Sequence, residues 1–151
     1  MHVTARSDYA VHAMLHLAAA WPAQVSAQTI AAAHGLPHKF LETVMTTLRR
    51  HDLVRSQRGN SGGFALAREP AEITLGEILR AIDGPLVGVR GQRPHELVYD
   101  GCAEHLTEVW VAARAALREV LDGVTLRDVQ AGDLPAHVAA LAAQPGAWDI
   151  R

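Results

Sequence analysis

Residues 52–67 read DLVRSQRGNSGGFALA, and this run decides the fold. Leu53, Val54, Arg55, Ser56 and Gln57 alternate apolar with polar side chains as an edge strand does. Residues 58–63 hold three glycines, and Phe64 opens a second short apolar strand. Two such strands joined by a glycine-rich turn form a β-hairpin. Helical periodicity lies on both sides of it, so the hairpin is a wing carried by helices.

Upstream, residues 4–20 place Val11, Met14, Leu15 and Ala18 on one helical face before Trp21 and Pro22 end the pattern. Ser26 stands as an N-cap for a short helix that Gly35 closes, and a third helix runs over residues 37–50 with Pro37 near its first position. Three short helices with a tight turn between the last two describe a helix-turn-helix. Downstream, Thr74 and Glu77 form a capping box for a helix whose Leu75, Ile78, Leu79 and Ile82 face inward, and Gly84 stops it.

Residues 86–101 show no periodicity and read as a flexible loop. Over residues 102–122, Leu106, Val109, Trp110, Ala113 and Leu117 follow the spacing of one long amphipathic helix. A small winged domain cannot cover that stripe, so it is expected to pair with a second copy. Residues 123–151 read as short helices, Thr125 capping the first, and a tail. The expected architecture is mainly α. A winged helix-turn-helix domain with a two-stranded wing spans 1–85, the loop 86–101, and the dimerisation helix 102–122.

In a chain of 151 residues, 49% hydrophobic and with one cysteine, Cys102, a disulfide framework and a cysteine-only metal site within one chain are excluded. Asp8, His12 and His16 interrupt the apolar run near the start, so neither a signal peptide nor a membrane span is expected, and the setting reads as cytoplasmic. The net charge of -2 conceals an asymmetry. Residues 1–68 carry seven basic groups against three acidic, whereas 69–151 carry seven against thirteen. The basic half is the one with the helix-turn-helix, as phosphate contact favours.

On the third helix, Leu41, Val44, Met45 and Leu48 share one arc, and Lys39, Thr43, Thr46 and Arg50 occupy the opposite one. Hydroxyls and cations of that size can enter a major groove and reach bases and phosphates. Glu42 and Phe40 border this face; a carboxylate there is suited to accept from a cytosine amino group. A protein-interaction module, the rival from another class, would present an uncharged or acidic face. The nucleophile-elbow, phosphate-loop and zinc-protease motifs of enzymes are absent from the sequence.

The wing run, with Ile73-Thr74-Leu75 and Ala81-Ile82-Asp83-Gly84, resembles the Rrf2 family of winged helix-turn-helix bacterial transcription regulators over residues 1–122. The resemblance implies a homodimer crossed by its long helix and bound to an inverted-repeat operator in double-stranded DNA, acting as a repressor. It assigns DNA reading to Lys39, Phe40, Glu42 and Arg58, with Lys39 standing where the family usually has a small polar residue. Gly59 and Asn60 belong to the same wing tip. Cluster-binding members carry three cysteines before and into the long helix; this chain has Cys102 alone, so no cofactor is expected. Asp8 and His34 match positions where members supply a carboxylate and a histidine ligand. A metal- or redox-sensing regulator using Cys102 with Asp8 and His34 is therefore the alternative, beside a small-molecule effector.

Overall fold

The computed structural model describes residues 2–57, 59 and 62–150. It begins with α1 (Ala5–Ala19), α2 (Ala27–His34) and α3 (His38–Arg50). The Thr4 hydroxyl accepts from the Ser7 N–H to cap α1, and the Ser26 hydroxyl accepts from the Thr29 N–H to cap α2. Gly35 ends α2 in the left-handed conformation at φ 62°. Pro37 is the N-cap of α3, one place before the first helical position assigned to it from sequence.

The wing is formed by β1 (Val54–Gln57) and β2 (Gly63–Leu66), antiparallel, with Val54 opposite Leu66 and Gln57 opposite Gly63. Val25 adds a third edge that the sequence pattern did not reveal. Val25 N–H donates to the Phe64 carbonyl and Phe64 N–H donates to the Val25 carbonyl, each at 2.9 Å. A Cβ on Gly63 would sit 2.6 Å from the Val25 carbonyl oxygen, so this close approach requires glycine.

The next helix, α4 (Leu75–Asp83), has the expected capping box. Burial pushes the Glu77 carboxyl up, but the Thr74 N–H and the Arg68 guanidinium outweigh it and hold Glu77 below its ordinary value. Those partners lie at 2.9 and 2.8 Å. Ser7 is fully buried; its hydroxyl donates to Asp83 at 2.6 Å, and Thr4 reaches the same carboxylate. This ties the start of α1 to the end of α4 and gives Asp83 its structural role.

The core gathers Met14 and Leu17 from α1, Leu41, Val44, Met45 and Leu48 from α3, and Ile78 from α4, all fully buried. The α3 face is the one expected. On α1 the buried face turns towards Ala10 and Ala13, and Val11 and Leu15 are only half-buried. Small side chains let the backbone lie close to its neighbours, and that proximity outweighs the larger residues.

Residues 86–101 contain more local structure than their composition suggests. Val89 bridges Gln92, Pro94–Glu96 forms a 3-10 turn, and Leu97 is buried. A second 3-10 turn, Gly101–Ala103, precedes α5 (Leu106–Gly123). Cys102 therefore does not begin the long helix: it is exposed in the turn before it. None of the eighteen residues of α5 is buried. Its C-terminal end is anchored, because Leu75 N–H donates to the Val124 carbonyl and Leu126 N–H to the Ile73 carbonyl. There follow α6 (Leu126–Ala131), capped by Thr125, and α7 (Ala136–Ala142). Leu126 is fully buried in the core, so this C-terminal segment helps complete the winged domain.

Candidate nucleic-acid interface

The outer face of α3 presents Lys39, Glu42, Thr43, Arg49 and Arg50 to solvent, with Thr46 half-buried at its margin. Thr43 donates its hydroxyl proton to the Lys39 carbonyl at 3.1 Å, which fixes its rotamer and leaves its oxygen free to accept. Phe40 is less presented than its place in the arc suggests: its ring meets Tyr9 edge-on at 5.8 Å and packs against the core. Glu42 lies 3.8 Å from His38 on the preceding turn.

This helix is braced to the wing. Arg49 donates to the Ser56 hydroxyl of β1 at 3.0 Å, and Arg6 of α1 donates to Thr47 of α3 at 3.0 Å. Arg55 lies over the Trp21 ring at 6.0 Å. A helix and hairpin fixed in one frame can follow adjacent grooves as a unit. Arg49, Arg6 and Ser56 were missed from sequence because each pairing joins separate elements. At the wing tip Gly59 is exposed at φ 118°, a conformation that favours glycine. Arg58 and Asn60 lie outside the described residues.

The residues considered for sensing are distributed differently. His34 packs between His12 and His16, with ring centroids 5.6 and 5.3 Å away, and its Nε2 is sealed from solvent without a hydrogen-bond partner. Burial, followed by His16 and then His12, lowers its pKa below the ordinary value, so it is neutral at neutral pH. Asp8 stands 3.9 Å from His12. Among the described residues no three His, Cys, Asp or Glu side chains converge to hold a metal ion.

On α5, Leu106, Trp110 and Leu117 are half-buried, the Trp110 indole nitrogen being sealed from solvent, whereas Val109, at 55% exposure, and Ala113 face solvent. The apolar stripe is thus only partly covered within the chain. No helix among the described residues is long and apolar enough to cross a membrane.

A helix-turn-helix braced to a two-stranded wing and followed by a long, partly covered helix is the architecture of a winged helix-turn-helix, and the family match assigns the chain to DNA-binding transcription regulators. The chain belongs to the Rrf2 family, whose model, described as an iron-dependent transcriptional regulator, matches residues 3–132. It is 48% identical over 143 residues to a Mycobacterium tuberculosis protein named as the HTH-type transcriptional regulator Rv1287, spanning 94% of this chain and 89% of that one. Bacillus subtilis CymR is 34% identical over 130 residues, covering 85% of this chain and 89% of its own. The solved structure of that CymR, described as the global cysteine regulator, superposes with a TM-score of 0.74 at 32% identity over 87% of this chain and 98% of the other. The structure of T. potens IscR gives 0.69 at 34% identity, over 96% and 94%.

Iron in the family description was tested against the donors present. With Cys102 as the lone thiol and no three converging ligands among the described residues, a single chain does not fit an iron or iron-sulfur site.

Proposed function

We propose that the chain acts as a homodimer that represses transcription by occupying an inverted-repeat operator, each copy placing α3 in a major groove and its wing beside it. The observation that carries this reading is the pairing of two surfaces. A cationic, hydroxyl-bearing face is locked to the wing through Arg49 and Ser56, and an eighteen-residue helix leaves its apolar stripe at most half-buried. Leu106, Val109, Trp110, Ala113 and Leu117 supply the contact between copies, and symmetric pairing sets two recognition helices for two half-sites. Lys39, Thr43, Thr46 and Arg50, with Arg58, Gly59 and Asn60 of the wing, contact DNA; Glu42 selects bases more than it adds affinity.

The test is a gel-shift and transcription assay on the DNA upstream of the protein's own gene. A saturable complex that lowers transcript yield supports the reading. No complex, or increased transcription, overturns it. Exposure of Cys102 keeps a redox reading in play. That reading predicts operator release on peroxide treatment, abolished by Cys102→Ser.

A further inference from the structure

Side chains far apart in the sequence meet around one open cleft between α4, the segment that follows it, and α5. Arg80 comes from α4, Arg93 and His95 from the segment, and Arg114 and Arg118 from α5, while residues 85–87 form an apolar wall. The cleft holds about 630 Å³, the size of a small-molecule site. Its charge is poorly balanced. Arg80 and Arg118 share the single carboxylate of Asp122, at 2.7 and 3.3 Å. Glu96 accepts from the Arg93 backbone N–H at 2.9 Å, but among the described residues neither the Arg93 nor the Arg114 guanidinium has a carboxylate within 4.0 Å.

Arg114 is nevertheless held in place, with Nη1 2.9 Å from His95 Nδ1. A guanidinium only donates, so in this contact Nδ1 is the acceptor. The histidine orients Arg114 without cancelling its charge. Four guanidinium groups thus surround one cleft with one carboxylate between them, an arrangement that an anionic guest stabilises.

We propose that this cleft binds a small organic dianion, a phosphate monoester or a dicarboxylate, with its charged end on Arg93 and Arg114 and its apolar body on residues 85–87. No lining residue comes from α3 or the wing, so the site is separate from the DNA-reading face. Its walls belong to the winged domain on one side and to α5 on the other. An occupant therefore couples the recognition helix to the pairing helix, a consequence that rests on the regulator reading given above.

Isothermal calorimetry on the full chain, at fixed ionic strength, with phenyl phosphate and glutarate as separate probes, tests the site and tells the two anion sources apart. The expected result is saturable binding of at least one probe, one per chain. Arg93→Ala and Arg114→Ala should each weaken it about tenfold or more. Arg90→Ala, which removes an equal charge from the same segment outside the cleft, should leave it unchanged. Circular dichroism of each variant confirms that the fold is retained. Saturation by neither probe, or equal loss in Arg90→Ala, would overturn the proposal. Failure of the unliganded protein to bind DNA would count against the regulator reading and leave the calorimetric result standing.

Discussion

The helices α3 and α5 are both amphipathic, yet one buries its apolar arc completely and the other only in part. Leu41, Val44, Met45 and Leu48 of α3 are fully covered by their own chain; Leu106, Trp110 and Leu117 of α5 are half-covered and Val109 is open. The same sequence signal therefore has two outcomes, decided by what lies within reach. α3 has α1, α4 and the wing around it, whereas α5 is fastened along one side only, by Thr107 to the Leu97 carbonyl, Arg114 to His95 and Asp122 to Arg80, and by the strand-like pairing at Val124 and Leu126 that follows it. Under the proposed dimer, a second molecule covers what α5 leaves open.

Truncating one leucine on each helix breaks this comparison most sharply. Leu48→Ala should cost about 2–5 kcal/mol of unfolding free energy, measured by urea denaturation, because it opens a cavity in a filled core. Leu117→Ala should leave the chain folded and weaken its self-association. Leu117→Glu should yield monomers by size exclusion with light scattering, since a symmetric interface would bury two like charges. A stable dimer in Leu117→Glu would mean that α5 pairs by another face.

On the recognition side, Lys39→Ala and Arg58→Ala should each weaken operator binding by about 1–3 kcal/mol and flatten its salt dependence by about one unit of log-log slope, with the dimer intact. Fluorescence anisotropy across a salt series reads both effects. Arg49→Ala should act more mildly. Loss of its hydrogen bond to Ser56 frees the wing from α3 at a cost of roughly 1 kcal/mol in DNA affinity.

The smallest expected effect is on pH dependence. His34 has its folded pKa lowered from 6.5, so the unfolded chain takes up a proton more readily. The contribution to stability is present above the ordinary pKa and is lost as pH falls through the lowered one. Thermal melts over this interval should show stability declining with acid, and His34→Gln should reduce the slope. An unchanged slope would show that His34 carries no differential protonation between the folded and unfolded chains.

Much of this architecture is readable in the sequence because its signals are local. Ser26 with Gly35, Thr74 with Glu77, and Gly59 in the wing each specify a backbone geometry within a few residues, and each holds in the structure. The third strand edge at Val25 depends on a partner almost forty positions away and leaves no periodic trace. Gly101, at φ 61°, and the turn after it displace Cys102 from the long helix although the apolar spacing continues past it. The cationic cleft is invisible in the linear chain: Arg80, Arg93, Arg114 and Arg118 lie on three segments, and only the return of α5 along α4 brings them together. The donor face of α3 was apparent in outline, but its brace through Arg49 was not, because helical plotting cannot register a contact with a hairpin.

The central claim is that two copies, joined through α5, place two α3 helices on one operator. Light scattering of the purified protein bound to a duplex from its own upstream region measures this directly. The account predicts two chains per duplex for the native protein and no stable complex at the same concentration for Leu117→Glu. One chain per duplex, or undiminished binding by a monomeric Leu117→Glu variant, would contradict it.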